Sequence, residues 1–217
     1  MKKTEAAKRT TRRNDPEGTK QNILQIATEE FVSNGLAGAR VDAIAKRMRT
    51  SKRMIYYYFG SKEELYRAVL EKSYVEIRES EEHLELSKLK PVEALRRLIE
   101  TTFDFDENHP NFVRLVSIEN LHGAQYLQDV TSIRGRNVIV LETLSEILAR
   151  GRKEGIFRDD VDALDVHMLI SAQCFFRVSN RHTFNAVFQC DLSNPKLRAK
   201  HKRLICDSVV RMLSKTA

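Results

Sequence analysis

The residues best equipped for chemistry fall between Arg40 and Leu65, in the run RVDAIAKRMRTSKRMIYYYFGSKEEL. Lys52 and Arg53 set two cations side by side, and Tyr56, Tyr57 and Tyr58 follow, with Ile55 and Phe59 four residues apart among them. Side chains four apart share one face of a helix. The segment therefore reads as a short helix with a small buried stripe, cationic at its start and phenolic over much of its surface. Ser51 is suited to cap it, because a serine hydroxyl accepts from one of the N–H groups that a helix start leaves without a partner.

The elements that must position this helix lie on either side. Upstream, Val41, Ile44, Ala45 and Met48 fall at i, i+3, i+4 and i+7, the apolar face of another short helix. The polar break Arg49-Thr50-Ser51 separates the two. Downstream, Ser61-Lys62-Glu63-Glu64 has the S-x-x-E form of a capping box. A helix, a tight turn and a short basic helix make a helix-turn-helix unit, whose second helix reads a DNA major groove. Before it, Asp15-Pro16-Glu17 suits a helix start, and that helix is expected to end at Asn34-Gly35. Ile23, Ile26, Phe31, Val41, Ile44, Met48, Ile55 and Phe59 can then form one three-helix core.

The charge distribution points the same way. The 217 residues carry a net charge of +7, yet residues 1–62 hold 14 Lys/Arg against 6 Asp/Glu, and the remainder 23 against 24. All of the excess positive charge sits with the helix-turn-helix, which implies a polyanionic partner there. Residues 1–18 are basic and aperiodic, and read as a disordered arm that either solubilises the chain or enters a minor groove. No apolar run reaches the ~18 residues of a membrane span, and the charged start has no secretory core. Cys174, Cys190 and Cys206, odd in number and far apart, fit reduced thiols of a cytoplasmic protein.

The run from Gly35 through VDAIA and TSKRMIYYYFGSKEEL resembles the N-terminal domain of the TetR family of transcriptional regulators, over about 50 residues from near Thr19 to near Tyr66. The resemblance implies an all-α protein: a helix-turn-helix domain over 19–62, then a helical effector-binding and dimerisation domain over 63–217. It also implies the roles of individual residues. Thr50 and Ser51, at a helix N-terminus, suit a phosphate; Lys52 and Lys62 neutralise phosphates on either side of the groove; Met54 lies on the reading helix. Of Tyr56, Tyr57 and Tyr58, at most two touch DNA, one ring being kept for packing. Three positions depart from the family pattern. Ala39-Arg40 replaces a Thr/Ser pair, leaving Arg40 to make a charge-assisted phosphate contact. Arg49 replaces the turn glycine, at a cost of roughly 1 kcal/mol if the backbone keeps positive φ. Arg53 replaces a second glycine, and either reaches guanine O6 and N7 or folds back onto phosphate.

Beyond Ser61 the helical pattern continues to about Leu86, long enough to join a DNA-binding head to a separate body. Further helices are expected from Pro91, over Phe112–Leu121, from about Thr131 to Glu154, over Asp162–Ser179 and from Pro195, with Asn185–Asn194 as a loop. Asp162–Ser179 is apolar on nearly every side and must be buried all round, so it and the last helix are the expected dimer interface. The family places a small-molecule pocket in these helices. Phe103, Phe105, Phe112, Glu119, Asn120, His122, Tyr126, His167, Gln173 and Arg177 are candidates to line it, a mixture that suits an aromatic or amphipathic organic effector with an anionic group. The partners expected are thus double-stranded DNA, a second copy and a small organic effector, with no cofactor or metal. Competing readings are weaker. There is no G-x-S-x-G or H-E-x-x-H motif, and Asp104, Asp106 and Glu107 beside His109 read better as a solvated helix end than as acid–base machinery. Cys174, His182 and Cys190 fit no compact zinc site. An architectural DNA-binding dimer without effector remains a third reading.

Overall fold

The computed structural model describes residues 15–82, 84–128 and 130–215; most of the basic arm lies outside them. Ten α-helices occupy the described residues: α1 (Pro16–Gly38), α2 (Val41–Met48), α3 (Lys52–Phe59), α4 (Lys62–Glu82), α5 (Pro91–Asn108), α6 (Pro110–Leu121), α7 (Thr131–Lys153), α8 (Ala163–Ser179), α9 (Arg181–Phe188) and α10 (Pro195–Leu213). Their starts follow the expected local chemistry. Asp15 accepts from the Gly18 N–H at 2.9 Å, with Pro16 at the first helical position. Asp162 and Asp165 form a reciprocal capping box at α8. Asn194 caps α10 ahead of Pro195.

Two apolar cores form. One gathers Ile23, Leu24, Phe31, Val41, Ile44, Ile55 and Phe59 from α1–α3 with Leu65, Tyr66, Val69 and Leu70 of α4, and takes in Leu115, Val130 and Ile133. The other gathers Leu95, Leu98, Ile99 and Phe103 of α5 with residues of α7, α8 and α10. Helix α4 joins the two and buries side chains into the first over its opening turns.

Three expectations need correction. Gly35, at φ +64°, marks a kink, and helical turns resume to Gly38 before Ala39. Helix α4 stops at Glu82, and Leu86–Lys88 forms a separate 3₁₀ turn. The segment expected to be a loop from Asn185 is helical to Phe188, because Phe184, Val187 and Phe188 recur at i, i+3 and i+4; only Gln189–Asn194 is irregular. Within the single subunit, α8 leaves Leu164, Met168 and Phe176 more than half exposed.

Candidate functional site

The candidate nucleic-acid interface is built on α3. Ile55 and Phe59 are its buried residues, so they fix which way the rest of the helix faces. That leaves Ser51, Lys52, Arg53, Met54, Tyr56 and Tyr57 on the outside, with Tyr57 78% exposed. Tyr58 is half-buried against the first core and meets the Tyr57 ring edge-on, centroids 5.4 Å apart. Two phenols thus project outward and one is used for packing. Ser51 accepts from the Met54 N–H at 3.3 Å and starts the helix. The turn before it is left-handed at Arg49, φ 55° and ψ 42°, so the position keeps the geometry that favours glycine while carrying a long cationic side chain.

The charges around α3 are arranged, not scattered. Asp42, at the start of α2, lies 2.7 Å from Lys52 Nζ and 4.0 Å from the Arg40 guanidinium, all three side chains being about half exposed or more. Arg40 also donates its backbone N–H to Glu30 at 3.1 Å, which pins the start of α2 to α1. Arg53 is exposed, and among the described residues it makes no ion pair. Lys62 has a more local task than expected: its ammonium donates to the carbonyls of Leu36 (2.8 Å) and Ala39 (3.3 Å), tying α4 to the end of α1. Of the three donors on an ammonium, one is left for a phosphate. Ser61 caps α4 through the Glu64 N–H at 3.0 Å, while its own N–H turns to the Phe59 carbonyl, so the capping box is half formed.

The residues expected to line an effector pocket make three sets of contacts. Glu119 is buried at the junction of α6 with the first core, accepting from the Tyr66 hydroxyl (2.8 Å) and the Tyr126 N–H (3.2 Å); burial, then the Glu119 carboxylate, pushes the Tyr66 phenol well above its ordinary pKa. Asn120 and His122 beside it are exposed. Phe103, Gln173 and Arg177 lie toward α10. Arg177 is buried, donates twice to the Leu192 carbonyl (2.9 and 2.6 Å), pairs with Glu107 at 3.1 Å and lies over the Phe103 ring. Phe105, Phe112 and His167 are the third group: Phe105 stacks on His109 and meets Phe112 edge-on, and Phe112 meets Tyr74.

The acidic residues near His109 are not a solvated helix end. Asp104 pairs with Arg198 (3.0 Å) and Lys202 (2.7 Å) of α10, Glu107 pairs with Arg177 and Arg181, and Asp106 is 3% exposed. His109 hydrogen-bonds through Nδ1 to its own helix at Phe105. These groups face different partners and form no acid–base pair. Cys174 is buried and His182 exposed, and no cluster able to hold a metal occurs among the described residues.

Sequence reasoning missed a polar centre in the body. Tyr74, Arg78 and Glu81 of α4 lie near Asp106 of α5 and His167 of α8, close enough for Arg78 to influence Glu81, Tyr74, Asp106 and His167 electrostatically. The signal was present: Tyr66, Leu70, Tyr74 and Arg78 follow one another every four residues, so an inward stripe ends in an arginine. Burial pushes the Glu81 carboxyl up to about 7 against the pull of Arg78. Burial, then the neighbouring Glu107, pushes Asp106 up to about 7 as well. Burial, then Arg78, holds His167 below its ordinary value.

Comparison with known proteins matches both halves. Residues 23–69 fit the profile described as bacterial regulatory proteins, tetR family, and residues 91–209 that of the tetracyclin repressor-like C-terminal domain. The chain is 34% identical over 195 residues to the HTH-type transcriptional repressor NicS of Pseudomonas putida, covering 90% of this chain and 92% of that protein. It is 30% identical over 178 residues to the HTH-type transcriptional repressor SCO4008 of Streptomyces coelicolor, covering 76% and 80%. Its fold matches that of the ketosteroid transcriptional regulator KstR2 of Mycobacterium tuberculosis, at TM-score 0.69 and 21% identity over 94% of this chain and 98% of that one. Both matches describe a DNA-binding regulator and not an enzyme, and the chain belongs to the TetR family of transcriptional regulators.

Proposed function

We propose that this protein is a repressor that binds a palindromic operator as a homodimer and leaves it when a small organic effector occupies the helical body. The observation that carries the DNA-binding part is the outward face of α3: Lys52, Arg53, Met54, Tyr56 and Tyr57 are exposed while Ile55 and Phe59 hold the helix to its core. Thr50 and Ser51 present a helix start to a phosphate, Arg40 and Lys52 neutralise flanking phosphates, and Arg53 reaches the base edges. The repressors NicS and SCO4008 support the sign of regulation.

Pairing is supported by the apolar surface at α8 and α10. Leu164, Met168, Phe176 and Leu204 are exposed on these helices, and a largely apolar groove of about 440 Å³ runs between α8, α9 and α10. Contiguous apolar surface of this kind marks an interface. Two copies joined there carry two α3 helices to successive major grooves, about 34–36 Å apart. Because both the reading face and the partner are inside the cell with the chromosome, the site of action is the cytoplasm.

The direct test is fluorescence anisotropy on a palindromic operator across a range of salt concentrations. Phosphate contacts release counterions, so log affinity should fall linearly with log salt, and Lys52→Ala should lower that slope by about 1. A slope near zero refutes the phosphate contacts. Sedimentation of Leu204→Glu should give single copies with much weakened operator binding; a variant that remains paired removes α10 from the interface.

A further inference from the structure

The buried polar centre has more hydrogen-bonding capacity than the protein uses. Arg78 is 5% exposed, and its hydrogen bond among the described residues goes to Glu81 at 2.6 Å. Its Nε–H is buried without a partner. A guanidinium has five N–H donors and no acceptor, so the unmet demand is for acceptors. Asp106, which is buried, and Tyr74 and His167, which are half-buried, add further polar groups around it. Native interiors rarely leave a buried donor such as this Nε–H unmatched, and each exception asks for an explanation such as an absent ligand. A cavity of about 40 Å³ lies against this point, lined by Arg78, Glu81, Leu98, Ile139, Val140 and Thr143. Its walls are aliphatic except for the arginine, the glutamate and the Thr143 hydroxyl. That volume holds only a few water-sized molecules.

We infer that Arg78 is the anion receptor of the effector site, and that the effector is a small organic carboxylate whose apolar part lies against α5 and α7. The inference rests on the effector-responsive reading above. The carboxylate takes the open face of the guanidinium in a charge-assisted contact, beside the Tyr74 hydroxyl and the Asp106 carboxyl, and its hydrocarbon part displaces α7 at Ile139 and Val140. Because the cavity is small when empty, occupation enlarges the body, and an effector that fits only the enlarged state shifts the molecule toward it. The shift acts on α4, which carries Arg78 near one end and roots in the core of the reading head at the other.

The structure's donors also specify a proton signature. A second anion beside Glu81 and Asp106 makes both hold their protons more tightly. Both carboxyls sit near 7 without it, and the neighbouring groups that titrate or carry charge are Tyr74 and Arg78 on α4, Glu107 on α5, and His167 and the Cys174 thiol on α8. Carboxylate binding at neutral pH therefore takes up protons.

The experiment is calorimetry on the full-length protein with acetate, hexanoate, benzoate and phenylacetate against the corresponding amides, repeated in buffers of different ionisation enthalpy, with operator affinity measured in parallel. At least one acid should bind at least about tenfold more tightly than its amide, with proton uptake, and release operator. In the double variant Arg78→Met, Glu81→Leu, which removes the buried pair together and leaves no orphaned charge, acid binding should be lost with operator affinity unchanged. Should that variant fail to fold, the acid-against-amide comparison on the unaltered protein still decides. Equal binding of acid and amide, acid binding that survives in the folded double variant, or no acid binding to a protein that holds its operator would each overturn the inference. Failure to hold any operator would instead count against the regulator reading, while the calorimetry would still decide the role of Arg78.

Discussion

The reading head and the helical body handle charge in opposite ways. In the head the core is apolar, and Lys52, Arg53, Arg40 and Arg47 stand in solvent, where pairs such as Lys52–Asp42 are loose and exchangeable. In the body the charges are inside: Arg177, Arg78, Glu107 and Asp106 are all withdrawn from water, some paired well and some not. An exposed cation contributes little to stability and is free to meet a phosphate. A buried one is costly unless matched, so it persists where it fixes structure or awaits a ligand. The head keeps its cations in solvent; the body withdraws its own from water.

The strongest way to test this contrast is to remove a buried cation that is held by an ion pair and by a backbone carbonyl. Arg177→Ala takes the guanidinium from Glu107 and from the Leu192 carbonyl at once. It should destabilise the protein by about 3–5 kcal/mol, seen as a fall in melting temperature on the order of 10 °C. A loss below about 0.5 kcal/mol, the scale of ordinary surface substitutions, would show that body and head treat charge alike.

Arg53→Ala is the head's counterpart. It should leave stability within about 0.5 kcal/mol of the parent and weaken operator binding by about 1–3 kcal/mol if the guanidinium reads a base. Testing operators substituted at each position in turn separates the two roles. A penalty confined to one base pair assigns Arg53 to base reading; weakening that is equal at every position assigns it to phosphate.

The polar centre gives a smaller, pH-dependent effect. A carboxyl whose pKa is raised on folding holds its proton after the unfolded chain has released it, so the folded state is favoured least above the raised value. For Asp106 this penalty grows as pH rises from about 4 toward about 7 and is constant beyond. Asp106→Asn removes it. Relative to the parent, the variant should therefore gain about 1–2 kcal/mol between pH 5.5 and 7 in urea unfolding. A difference that does not change with pH would place Asp106 in a more solvated setting.

How much of this was legible in the sequence follows from the same contrast. The head was readable because its signals are local: Ser51 three residues before the N–H it accepts from, Ile55 four before Phe59, Gly35 at a positive φ. Arg49 is the instructive case, since the left-handed turn persists although the glycine that usually marks it is gone. The body was readable as helices, because Pro91, Pro110, Asp162 and Pro195 announce their starts. Its buried polar centre was not, because Arg78, Asp106 and His167 are brought together only by the packing of α4, α5 and α8. Glu119, Phe103 and Phe105 stand near apolar runs in the sequence, and no periodicity says which neighbours each one meets. Helix α9 was missed for a simpler reason: its eight residues are fewer than periodicity alone can separate from a loop, and Asn185 lies in the middle of it.

The smallest effect concerns Asp42, a carboxylate within reach of both Arg40 and Lys52. In the free protein it holds the Lys52 ammonium at 2.7 Å. In the proposed complex that ammonium turns to a phosphate, and the carboxylate then repels the same phosphate across a partly screened distance. An exposed pair of this kind contributes about 0.2–1 kcal/mol, so Asp42→Asn should tighten operator binding by no more than roughly fivefold. The gain should be largest at low salt and fade as screening grows. It should also vanish in a Lys52→Ala background if the pair is the cause, which a double-mutant cycle measures directly. An equal gain with and without Lys52 would mean that Asp42 acts on the phosphates themselves, and that the head carries a built-in restraint on affinity independent of its neighbouring lysine.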